Sequence, residues 1–111
     1  MESNYLLIVT TTDNRHDADN LARAMVEKRL AACAQVEGPI PSTYWWQGKL
    51  ENGEEWKCSF KSSVAFYADL ETALARVHPY ETPEILAFPI VHGSRDYLSW
   101  MDDQLQQPDS C

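Results

Sequence analysis

Two prolines in one short segment, Pro79 and Pro83, cut this chain into a part that must stop being helical and a part that must start extended. Proline holds φ near about −65° and pushes the residue before it out of the helical region. His78 and Thr82 are therefore both barred from a helix. The run His78-Pro79-Tyr80-Glu81-Thr82-Pro83-Glu84 becomes a stiff connection displaying an imidazole, a phenol and two carboxylates. The apolar run Ile85-Leu86-Ala87-Phe88 follows at once and reads as a buried strand. A rigid polar connection between a helix and a strand is where a binding site is to be sought. The alternative is a plain helix stop with Tyr80 and Glu81 in solvent.

Working outward from that segment, the periodicities alternate between two and three-to-four residues. Tyr5 to Thr12 is rich in β-branched and apolar residues and reads as a strand. From Asp17 to Leu30 the apolar positions Ala18, Leu21, Ala22, Met25, Val26 and Leu30 follow helical spacing, with Asp13 or Asp17 expected as the cap. Ala31 to Val36 is a second strand, which Pro39 and Pro41 bend or bulge. Ser42 to Leu50 is extended again, Asn52-Gly53 is the expected hairpin turn, and Glu55 to Ser63 alternates as a half-exposed return strand. Trp45 and Trp46 fall on opposite faces of this hairpin. Ser63 is placed to cap a helix running to about Val77. Then come a strand over Glu84 to Val91, with Pro89 marking an edge or bulge, and a short helix over Arg95 to Gln104. A frayed tail is expected over 106–111.

The order strand, helix, strand, strand, helix, strand, with one helix appended, is the α+β ferredoxin-like split βαβ arrangement. Its 111 residues suit one domain over 1–111. Two helices cover one sheet face, and the other face has no cover of its own. Such a face, beside a hairpin carrying Tyr44, Trp45 and Trp46, asks for a partner surface, and a homo-oligomer supplies it most simply. The net charge of −8 disfavours a nucleic-acid partner. No apolar run approaches the ~20 residues of a membrane span. The absence of a basic, apolar start and the odd set Cys33, Cys58 and Cys111, without C-x-x-C spacing, point to reduced thiols in a cytoplasmic setting. Cys33, in an alanine-rich strand, is expected to be buried and inert.

Several stretches carry a family resemblance: Lys28-Arg29-Leu30-Ala31-Ala32-Cys33-Ala34, Tyr44-Trp45-Trp46-Gln47-Gly48-Lys49-Leu50, Phe60-Lys61-Ser62, His78-Pro79-Tyr80-Glu81-Thr82-Pro83-Glu84-Ile85, His92-Gly93 and Tyr97-Leu98-Ser99-Trp100. In order and spacing the chain resembles the CutA divalent-cation-tolerance family. The resemblance implies a homotrimer built like the PII signalling proteins, and an association with copper and other divalent cations. In bacterial members copper goes with a cysteine on the first strand and a His-His pair before Pro-Tyr. The matching positions here are Thr10 and Val77-His78, so one of three ligands remains.

His78 is thus the candidate metal ligand, since imidazole suits copper, zinc and nickel. With a hydroxyl and a valine in place of the other donors, binding is expected to be weak, and no cofactor is obligatory. Lys61, Tyr80, Glu81 and Glu84 are candidate small-ligand residues, with Lys61 expected near the Tyr80–Glu81 segment. Tyr44, Trp45 and Trp46 are candidate interface residues. His16 reads as solvated and His92 as a turn residue. No phosphate loop, nucleophile motif or carboxylate pair at a catalytic separation supports an enzyme. Three readings compete: a trimeric divalent-cation-binding protein, a PII-like module binding a small anion between subunits, and a trimeric anchoring scaffold for another protein.

Overall fold

The computed structural model describes residues 4–105. The expected tail over 106–111, with Cys111, lies outside them. The elements are β1 (Tyr5–Thr12), α1 (Arg15–Glu27), β2 (Cys33–Trp46), β3 (Lys49–Ser63), α2 (Val64–Val77), β4 (Leu86–Pro89) and α3 (Arg95–Gln104). The strands form one antiparallel sheet in the order β2-β3-β1-β4, the ferredoxin-like arrangement.

β1 is central because its run of apolar and threonine side chains fits burial between two neighbours. Ile8 lies opposite both Phe60 and Ala87. Alternate side chains point to one face, where Ile8, Cys58 and Phe60 meet Leu21 and Met25 of α1 and Leu70 and Leu74 of α2. A second, smaller cluster joins Met101 and Leu105 to Ala32, holding α3 beside the start of β1. Tyr5 donates to Asp102 at 2.9 Å, and Arg29 donates to the Gln104 carbonyl at 2.9 Å.

The first helix is capped by Asn14, whose side chain accepts the Asp17 amide at 2.8 Å, rather than by Asp13 or Asp17. Asp17 instead sits in the first turn, where its charge complements the helix N-terminus. The helix also ends earlier than the apolar spacing predicts. Arg29 takes φ 59, and Leu30 reaches the core from the loop beyond. Ala31 and Ala32 are buried in that loop, so β2 starts at Cys33.

The largest correction concerns the hairpin. Its turn is Gln47-Gly48, with φ 50 and 77, not Asn52-Gly53. Two consecutive positive φ values match the twist of a two-residue hairpin loop. Asn52 and Gly53 lie within β3 opposite Thr43 and Ser42. The strand-forming run Tyr44-Trp45-Trp46 keeps β2 extended until it has passed them, and it pairs with Glu51, Leu50 and Lys49. The expected bulge is present between Glu37 and Ile40. Gly38 is required there: a Cβ would sit 2.7 Å from the Trp56 ring. β4 is shorter than expected, and Pro89 occupies an edge strand as predicted.

Candidate functional site

The polar connection after α2 is pinned from inside. Pro79 ends the helix, and His78 turns to φ −69, ψ 136 while its amide still donates to the Leu74 carbonyl at 3.0 Å. That turn drives the imidazole under β1, where it is 8% exposed. The Tyr80 amide donates to Nδ1 at 3.0 Å, so Nδ1 carries a lone pair and the neutral ring's proton belongs to Nε2. Nε2 then donates to the Thr10 hydroxyl at 2.9 Å. Both ring nitrogens are committed. Burial lowers the His78 pKa, opposed by the Thr11 carbonyl and the Asp17 charge.

Tyr80 carries the constraint onward. Its ring lies 5.1 Å from the imidazole, and its hydroxyl donates to Glu55 on β3 at 3.0 Å. Burial, and then the Glu55 bond and charge, push the phenol well above its ordinary pKa. The loop is thereby tied to both central strands, with His78 on β1 and Tyr80 on β3.

Between this loop and the hairpin lies a cleft of about 800 Å³. Tyr44 and Trp46 of β2 wall it on one side, and the 80–84 segment walls it on the other. Glu81 and Glu84 stand exposed at its rim, and Asp13 and Glu55 add two more carboxylates. Tyr80, Glu81, Glu84, Tyr44 and Trp46 are thus brought together. Trp45 is not among the lining residues, and its ring is 73% exposed.

Lys61 does not join them within the chain. It lies farther along β3, opposite Leu7 and Cys33, with its ammonium 3.3 Å from the Tyr97 hydroxyl and over the Tyr97 ring. His16 is exposed beside Asn20, and His92 is exposed as well. Among the described residues no three His, Cys, Asp or Glu side chains converge to hold a metal. Cys33 is half-buried rather than buried, whereas Cys58 is buried and burial pushes its thiol up to about 12. Sequence reasoning missed Glu55 and Asp13. The misplaced turn sets Glu55 opposite Leu50, whereas the true partner is Ile40, so the hairpin register hid it.

The family model for the CutA1 divalent ion tolerance protein matches residues 6–104. The chain belongs to that family. A divalent-cation tolerance protein CutA from Yersinia pestis is 38% identical over 103 residues, covering 93% of this chain and 87% of that one. The crystal structure of CutA from Xylella fastidiosa matches with a TM-score of 0.90 at 33% identity, over 94% of this chain and 100% of that one. CutA from Synechococcus elongatus matches with a TM-score of 0.90 at 36% identity, over 96% and 95%. A CutA from Archaeoglobus fulgidus, 32% identical with a TM-score of 0.88 over 92% and 99%, is described as periplasmic. No helix among the described residues is long and apolar enough to cross a membrane.

The positions that the family resemblance ties to copper do meet here. Thr10 and His78 are in hydrogen-bond contact, while Val77 is 52% exposed and apolar. Within one chain this set does not fit a tight copper centre. It offers a neutral hydroxyl and one imidazole whose lone pair already accepts the Tyr80 amide.

Proposed function

We propose that this CutA1 family member is a non-enzymatic binding protein that works in the cytosol as a homotrimer and meets copper and other divalent cations weakly and reversibly. The observation that carries the assembly is the apolar surface left exposed on β4 and on the hairpin. Leu86 and Phe88, opposite Val9 and Leu7 on the side away from the helices, are each about half exposed, and Trp45 is more so. Apolar surface of this kind is characteristic of an interface. A cyclic trimer satisfies the edge strands β2 and β4 of every copy equally.

The metal reading rests on His78. To reach its Nδ1, a cation must displace the Tyr80 amide, and to reach Nε2 it must displace the proton given to Thr10. That competition supports weak affinity. The test is light scattering together with calorimetric titration by copper(II) of the wild type, His78→Ala and Thr10→Cys at two pH values, all with Cys111→Ser. A trimer mass is expected, with weak binding that is lost in His78→Ala and tightened in Thr10→Cys. Binding should weaken as pH falls through the histidine range, because a protonated ring has no lone pair to give. A stable monomer overturns the assembly, and tight copper binding that survives His78→Ala overturns the assignment to His78.

A further inference from the structure

We propose that the cleft between the hairpin and the His-Pro-Tyr loop is a binding site for an alkylated ammonium ion, an organic cation rather than a metal or an anion. Its size comes first. At about 800 Å³ the cleft falls within the range of small-molecule sites and far exceeds a single ion. Its sign comes next. Asp13, Glu55, Glu81 and Glu84 line it, and no Lys, Arg or His is among the lining residues. An anion would meet only repulsion there, in a chain already at −8. Lys61, the expected anion partner, is turned to Tyr97 instead.

A small metal ion is the other obvious cation, and the spacing of the carboxylates argues against it. Divalent ions need several oxygens converging at about 2.0–2.6 Å. No three acidic or other ligating side chains among the described residues converge in that way. Carboxylates spread around a wide mouth suit a bulkier cation, which reaches each of them at longer range.

The walls supply what a metal ion would leave unused. Tyr44, Trp46 and Tyr80 put three aromatic rings on the lining. Ring faces attract ammonium groups most strongly when alkyl substitution has stripped away hydration. Tyr80 is held in place from both ends, by Glu55 at its hydroxyl and by His78 at its amide, and its phenol stays protonated and neutral. Thr11, Ser42, Thr43, Thr82 and Pro83 complete the lining, and none of them is charged.

The test follows tryptophan fluorescence and calorimetry while the full chain is titrated at constant ionic strength with tetramethylammonium, ammonium, magnesium and succinate. Tetramethylammonium should saturate one site per chain and bind about two- to fivefold more tightly than ammonium, the contribution of the rings at a partly exposed site. Glu81→Gln and Glu84→Gln should each weaken it about two- to fivefold. Asp69→Asn removes the same charge from an exposed position on α2 and should leave binding unchanged. Equal loss in Asp69→Asn would reduce the effect to net charge and overturn the site. So would preferred binding of magnesium or succinate, or the absence of saturation by tetramethylammonium. Because the readout is neither chain mass nor copper affinity, it stands apart from the trimer and His78 assignments.

Discussion

β3 runs through two regions that follow opposite rules. At its C-terminal end Cys58, Phe60 and Ser62 are fully buried beneath the helices, and every second residue faces the core. At its N-terminal end Leu50 is 57% exposed, and across the ladder Trp45 and Trp46 are exposed on both faces. The C-terminal half is stable because its own chain covers it. The N-terminal half belongs to a two-stranded ribbon that the helices do not cover, and such ribbons are marginal alone in water. Alternation therefore reports burial only where a covering layer exists, and an aromatic ribbon without one leaves its rings exposed on both faces.

The largest effects should separate these halves. Phe60→Ala removes a fully buried ring from the centre of the core and should cost about 3–5 kcal/mol, read as a lower urea midpoint at unchanged slope. Trp45→Ala deletes a still larger side chain, but one that is 73% exposed. It should leave the unfolding of an isolated chain nearly unchanged and weaken assembly by about 2 kcal/mol or more, read as dissociation on dilution in light scattering. Should Trp45→Ala destabilise the chain as Phe60→Ala does, without touching assembly, the two halves are one cooperative unit and the comparison fails.

What could be read from the sequence follows the same division. α1, α2 and α3 were legible because their apolar residues repeat at the helical period, and β1 because it is an unbroken run of apolar and β-branched residues. The edge placement of Pro89 followed from its missing amide. The meeting of Thr10 with His78 was legible only through the family resemblance, since residues so far apart in sequence share no local pattern. The cleft's Glu55 was not legible at all. Asn-Gly is the commonest tight-turn pair, and it drew the turn away from Gln47-Gly48, displacing the register of the whole ribbon. Local turn preference lost there to the strand propensity of Tyr44-Trp45-Trp46.

The next effect lies where the two regions join. His78→Ala leaves the Thr10 hydroxyl and the Tyr80 amide without their partner and should cost about 1–3 kcal/mol. Its pH dependence has a definite sign. The folded-state pKa of His78 lies below 6.5, so the unfolded chain takes up the proton first. The stabilisation is complete above about 6.5 and is lost as pH falls from there through the lowered folded value. Urea midpoints of wild type and His78→Ala should differ most near neutrality and converge in acid. A gap that widens in acid would mean that the imidazole is held charged, opposite to the tautomer assigned from Tyr80 and Thr10.

The smallest effect tests the hairpin itself. Gly48 sits at φ 77, where a side chain is strained although the space around it is open, so Gly48→Ala should cost the turn about 1 kcal/mol. Gly53 lies in β3, with the Tyr44 hydroxyl 3.8 Å from where a Cβ would stand, so Gly53→Ala meets only ordinary contact and should be neutral or slightly favourable. Because the ribbon lies beyond the core, a global melt is a poor detector, and local opening can proceed without unfolding Phe60 and its neighbours. Hydrogen exchange of the amides around Trp45 and Leu50 is the proper readout. Gly48→Ala should speed it several-fold while leaving the Ile8 and Phe60 amides unchanged. If Gly53→Ala proves the more damaging change, the turn belongs at Asn52-Gly53 after all, and the placement of Glu55 in the cleft goes with it.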